Sequence, residues 1–150
     1  RRQRQMCIRD RLRLPHRNVV RLETRNANTE GSGEIKMRAL IKTALRMRPD
    51  RLIIGEVRDE SALDLLTAMC TGHNGSLSTI HANSAEDTVV RLETMALWEG
   101  HVHAAAIRRM IVSGVDLIVF LERTDRGRFV RELAEVREDE AGRIILEKIF

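Results

Sequence analysis

Tyrosine is absent from this 150-residue chain, aromatic residues make up 3% of it, and cysteine occurs twice. Two cysteines in a chain of this length exclude a disulfide scaffold. So few aromatics argue against a base-stacking platform for single-stranded nucleic acid, which needs several exposed rings. No apolar run approaches the roughly 20 residues of a membrane-spanning helix. The phosphate-cradling pattern G-x-x-x-x-G-K-[ST] occurs nowhere, and there is no nucleophile elbow of the hydrolase kind. His101 and His103 have no Cys or acid at zinc spacing beside them, which argues against a metal site there. What is present fits a globular domain, with 43% hydrophobic and 32% charged residues. The length suits one domain or part of a larger one.

The formal net charge of +4 is concentrated at one end. Residues 1–11 (RRQRQMCIRDR) hold five arginines and one aspartate, and residues 12–150 carry 21 basic against 21 acidic residues. The body therefore has no charge excess to mark a nucleic-acid footprint, and no nucleic-acid partner is expected. The first eleven residues also resemble, residue for residue, the translation of a sequencing-library transposon adapter. A basic N-terminal arm or an amphipathic targeting peptide is the competing reading. We exclude the segment from fold reasoning, expect it to pack against nothing, and take native sequence to begin at Leu12. Cys70 is then the sole native cysteine, which fits a reducing compartment.

Along residues 12–150, short apolar runs alternate with helical patterns. Residues 19–24 (VVRLET) are β-prone, and residues 26–33 (NANTEGSG) read as a loop or hairpin turn. Met37, Leu40, Ile41, Ala44 and Leu45 form one apolar stripe at helical spacing, ended by Pro49. Leu52, Ile53 and Ile54, followed by Val57, read as a strand buried on both faces. Residues 61–71 read as a helix with Asp59 or Ser61 as cap and Gly72 as stop. Residues 76–80 are a second candidate strand. Residues 84–97 form a helix opened by the capping-box pair Ser84 and Asp87, and residues 104–113 form another. Residues 115–121 (VDLIVFL) are the clearest strand, and residues 128–137 and 143–149 read as a closing antiparallel hairpin with its turn at 139–142. The alternation predicts an α/β domain with a mostly parallel sheet. In such domains ligands bind beyond the carboxyl ends of the strands.

Two groups stand at those ends. Gly55 and Glu56 follow the first buried strand. An acid there can sit near Mg²⁺ or its water where phosphoryl charge develops, and glycine lets a phosphate or another backbone approach. An ordinary ion pair between Glu56 and Arg58 is the competing reading. His81 and Asn83 follow the second strand, where a histidine can donate to a γ-phosphate oxygen and report its presence. A histidine packed at a strand end is the alternative. His73 lies at a helix C-terminus, where the helix dipole favours it. Arg21, Arg25 and Arg46 are candidate phosphate clamps, because guanidinium forks fit phosphate oxygens. Arg48 reads as a solvated surface residue.

The segments LRLPHRNVVRLETRNANTEGSGE, ALRMRPDRLIIGEVRD and TGHNGSLSTIHANSAEDTVVRLETM, in that order, closely resemble the ATPases of type II and type IV secretion systems. The similarity is greatest to the CpaF type that drives tight-adherence (Flp) pilus assembly. It implies a partial RecA-like P-loop ATPase core with a mostly parallel sheet and a C-terminal antiparallel hairpin. It implies ATP and Mg²⁺ as ligands, a homo-hexamer, inner-membrane platform proteins as partners, and a cytoplasmic location peripheral at the inner membrane. The Walker-B box of the family matches residues 52–59, which makes Glu56 the acid for Mg²⁺, through a water. Its histidine box matches residues 71–85, which makes His81 the γ-phosphate sensor and His73 a supporting residue. Arg21, Arg25 and Arg46 stand at matches to arginines that reach phosphates within or across subunits. The family's Walker A and its acidic Asp box precede the LRLP stretch. Here residues 1–11 occupy the Asp-box positions and the Walker A would lie upstream. Asp59 stands where the CpaF type often has glycine. The expected function is thus the C-terminal part of a motor ATPase coupling ATP hydrolysis to pilus assembly or protein secretion, inactive as this truncated chain alone. A non-catalytic nucleotide-sensing or assembly module of RecA-like fold is the alternative.

Overall fold

The computed structural model describes residues 5–8 and 14–150. Four strands form a parallel sheet in the order β2-β1-β3-β4: β2 (Val19–Leu22), β1 (Gln5–Ile8), β3 (Arg51–Ile54) and β4 (Leu77–Ser78). Three more, β5 (Leu117–Thr124), β6 (Gly127–Glu138) and β7 (Ile144–Lys148), form an antiparallel sheet in chain order. The helices are α1 (Met37–Arg46), α2 (Ser61–Met69), α3 (Ala85–Leu97) and α4 (Ala104–Gly114). α2 packs against α1, α3 and α4, while α3 and α4 lean on the antiparallel sheet. One apolar cluster joins Ile8, Leu52 and Ile54 of the parallel sheet to Ile118, Ala134 and Val136 of the other. This is the α/β fold that the strand and helix pattern predicts.

Each helix forms for a local reason. In α1, Leu40, Ile41 and Ala44 are the buried residues, one stripe at helical spacing. α1 ends where Arg48 turns left-handed at φ 50° just before Pro49. Asp59 Oδ1 accepts from the Ser61 amide at 3.0 Å and caps the start of α2. Ser84 Oγ accepts from the Asp87 amide at 3.0 Å, as a capping box requires. Asp87 returns the bond to Asn83 N, at 2.8 Å, rather than to Ser84. Asn28 Oδ1 accepts from the amides of Glu30 and Ser32 and folds the 26–33 loop, which a bridge between Arg25 and Ile35 closes.

Two expectations need correction. Residues 5–8 do not stand apart from the fold. β1 is an interior strand between β2 and β3, and Met6, Cys7 and Ile8 are fully buried. The reason is physical: a parallel sheet covered on both faces accepts any short β-compatible apolar run, and Met-Cys-Ile is one. The other residues of the 1–11 segment lie outside the described residues. The second correction concerns residues 115–121. β5 does not extend the parallel sheet but pairs with β6, so the closing unit has three strands rather than two. β4, expected over residues 76–80, is reduced to two residues.

Candidate functional site

β3 and β4 run parallel, with Ile53 opposite Leu77 and Ile54 opposite Ser78. Their carboxyl ends therefore share an edge, and Glu56 and His81 follow those ends. His81 Nε2 lies 3.2 Å from Glu56 Oε1. The two side chains differ in setting: Glu56 is 15% exposed and His81 89%. The backbone beneath Glu56 is pinned from both sides. Gly55 N donates to Ile8 O at 3.0 Å, and Val57 N donates to Thr79 O at 3.0 Å. Thr79 Oγ1 in turn donates to Gly55 O. A mostly buried carboxylate on a fixed strand end beside an exposed imidazole on the adjoining loop sets a strong acceptor next to a ring that can donate.

Glu56 also lines a cleft of about 290 Å³ with Arg25, Lys36, Arg38, Arg58 and Asp59. Arg25 sits here because the chain leaves β2 at this same edge. Its Nε donates to Gly33 O at 2.7 Å, which ties it to the 26–33 loop. Arg38 reaches the cleft from the first turn of α1. Its Nε lies 3.1 Å from Asp64 Oδ2 on α2, and its Nη1 donates to Glu99 Oε1 beyond α3. Burial pushes the Asp64 carboxyl above the ordinary range, while Arg38 and Lys42 pull it down. The hydrogen bond to Glu99, then the charges of Asp64, Glu99 and Glu60, in turn favour the charged form of Arg38.

The remaining predicted residues are distributed elsewhere. Arg21 is on the outer strand β2, opposite Cys7, and its Nη2 donates to Leu14 O at 3.3 Å. Burial raises the Cys7 thiol pKa, and the Arg21 charge opposes that. Arg46 closes the far end of α1. α1 starts at the Glu56 cleft and its chain then feeds the start of β3, so Arg46 is about 12 Å along the helix axis from Arg38 and away from Glu56. His73 precedes β4 whereas His81 follows it. His73 Nδ1 lies 3.1 Å from Ala68 O, so the ring serves the C-terminal turn of α2. It lines a separate cavity of about 180 Å³ with Asn74, Ser76, Ser113 and Asp116. The structure thus brings together Gly55, Glu56, His81 and Arg25, and leaves Arg21, Arg46 and His73 apart. Arg38 is the cleft residue that sequence reasoning missed. The signal was available: a helix feeding the start of a strand presents its own first turn to that strand's carboxyl edge.

Comparison with known proteins places the chain in a family. The type II/IV secretion system protein family matches residues 8–139. A conjugal transfer protein of Mycobacterium tuberculosis is 39% identical over 133 residues, covering 87% of this chain and 37% of that protein. Protein VirB11 of Agrobacterium fabrum is 36% identical over 124 residues, covering 78% and 35%. The chain spans little more than a third of the length of these relatives. The crystal structure of the VirB11 ATPase from the Brucella suis type IV secretion system superposes with a TM-score of 0.76, at 30% identity, over 89% of this chain and 41% of that one. The fold is accordingly that of the RecA-like secretion ATPases, and the chain belongs to the type II/IV secretion system protein family.

Proposed function

We propose that this chain is the C-terminal part of a motor ATPase that couples ATP hydrolysis to pilus assembly or protein secretion. The observation that carries the reading is the 3.2 Å approach of His81 Nε2 to Glu56 Oε1 at the carboxyl edge of a parallel sheet. Glu56 is the Mg²⁺-side acid, acting through a coordinated water, and His81 is the γ-phosphate sensor. Bound Mg²⁺–ATP would supply the scissile phosphoryl group and the charge neutralisation. The donor set fits that ligand on one side: a carboxylate on a pinned backbone, an exposed imidazole beside it, and a cleft bearing Arg25 and Arg38. Among the described residues there is no lysine-bearing glycine loop to cradle the phosphates.

The reading therefore places the Walker A loop and the Asp box upstream, in a longer parent of the CpaF type that works as a homo-hexamer against inner-membrane platform proteins. Among the described residues no helix is long and apolar enough to cross a membrane. Residues 1–11 are the adapter-like segment in this reading, and β1 is its apolar centre seated in the place of a native strand. Exposed Leu77 on β4 and Leu117 and Val119 at the start of β5 are surface that the upstream half covers. A non-catalytic nucleotide-sensing or assembly module of RecA-like fold is the second reading, and an intact parent gene without a G-x-x-x-x-G-K-[ST] run would favour it.

The test compares the 150-residue chain, which keeps β1, with a version restored to its natural upstream half. Phosphate release with Mg²⁺–ATP is expected only from the restored protein. There, replacing Glu56 by Gln lowers the rate by about 10²–10³, the usual scale for one well-placed electrostatic group. Robust activity in the fragment, or full activity in restored Glu56→Gln, overturns the assignment.

A further inference from the structure

The hairpin of β5 and β6 places Arg123 directly opposite Arg128. Opposed residues of an antiparallel pair share a face, with Cβ atoms about 4.5–5.5 Å apart, and like charges so placed destabilise the pair. Arg126 stands in the two-residue turn between Thr124 and Gly127. Among the described residues no ion pair engages any of these three guanidiniums. Other arginines of the same sheet are matched: Arg131 with Glu122, Arg137 with Glu135 and Glu147, Arg143 with Asp139. The whole of residues 121–131 is exposed. Next to the arginines, Leu121 opposes Val130, so the two guanidiniums stand on an aliphatic base.

Two neighbouring guanidinium forks in fixed register offer several N–H donors to one tetrahedral oxyanion, and such an anion cancels the repulsion between them. We propose that Arg123 and Arg128, with Arg126 at the turn, form a phosphate-binding pincer. Its ligand is a phosphate group, borne either by an anionic lipid headgroup or by a nucleotide or free phosphate. The pincer is separate from the Glu56 cleft: its residues belong to the other sheet and do not line that cleft.

The experiment uses the chain as it stands, at low concentration, with inorganic pyrophosphate as probe. Thermal unfolding is followed for the wild type, Arg128→Gln and the double variant Arg123→Gln/Arg128→Gln. Without probe, Arg128→Gln should melt about 1–3 °C higher, because the cross-strand repulsion is gone. Pyrophosphate should raise the wild-type melting temperature saturably, with an affinity at least tenfold weaker in the double variant. A second arm sediments the protein with phosphatidylcholine vesicles, with and without 30% phosphatidylglycerol. Binding to the anionic vesicles that the double variant loses assigns the lipid source. A pyrophosphate response without vesicle binding assigns free or nucleotide phosphate. An equal pyrophosphate response in wild type and double variant overturns the pincer, as does a response to neither probe. So does a preference for polyglutamate over pyrophosphate, which would mean recognition of an acidic protein.

Discussion

β3 and β5 are both apolar strands whose chains run on into charged turns, yet they end in different settings. β3 lies inside the parallel sheet, where Leu52 and Ile54 are fully covered. β5 is the edge strand of its sheet: Ile118 is buried on the inner face, while Leu117, Val119 and Leu121 are each more than half exposed on the outer one. An apolar run states what a strand can bury, and its neighbours decide what it does bury. The consequence for function is direct. Glu56 leaves a strand that cannot shift without opening the core, whereas the arginines of the β5–β6 turn ride on an exposed arm.

Core truncation breaks this contrast most sharply. Ile54→Ala should cost about 2–5 kcal/mol by urea unfolding, since the cavity it leaves is enclosed on all sides. Equal sensitivity at Val119 would mean the outer face of β5 is buried after all, for instance by self-association. Next in size is Arg38→Met, which leaves Asp64 and Glu99 facing each other without their shared cation. A loss of about 2 kcal/mol at neutral pH is expected, discounted for the partial exposure of Arg38.

The same variant has a pH signature. The Asp64 carboxyl is raised above its ordinary value of 3.8, chiefly by burial. The folded state therefore holds that proton more tightly than the unfolded one. The Asp64 contribution is complete below that value and declines as pH rises through the raised one. Removing Arg38, which opposes the rise, should widen the window and steepen the decline. Unfolding curves between pH 4 and 7 read it directly, and a flat difference between wild type and variant would contradict the clamp.

Smaller still is Ser84→Ala, which deletes the acceptor for the Asp87 amide at the start of α3 and should cost about 1 kcal/mol. Smallest is Val119→Thr, on the exposed face of β5, expected to stay within about 0.5 kcal/mol by the same unfolding assay. A larger loss there would move β5 into the class of β3.

Much of the fold was legible because periodicity reports burial face. The α1 stripe, the Ser84 cap and the turn at 139–142 all follow from residue types at fixed spacing. Partner choice between strands was not legible, because pairing is a long-range contact with no local signature. Nothing within residues 115–121 says that β5 pairs with β6 alone, and nothing in Met-Cys-Ile says that it fills the gap between β2 and β3. The candidate site divides in the same way. That Glu56 and His81 would be neighbours was legible because both follow strands that run parallel. Arg46 entered by residue type and by its match to a family arginine, without helix direction being weighed, and Arg38 was not singled out. His73 was grouped with His81 because both fall in the stretch that matches the family's histidine box, and β4 between them carries the two to opposite ends.

The pair of amide bonds flanking Glu56 makes the site mechanically lopsided. Gly55 N and Val57 N are each locked to a neighbouring strand or loop, so this jaw has side-chain torsions but almost no backbone travel. His81 is the other jaw, nearly fully exposed on the loop beyond β4. Any grip on a ligand therefore tightens from one side only. Its tempo is set by the few residues between Thr79 and Ser84, while the Gly55 and Val57 amides should exchange their hydrogens as slowly as the core itself.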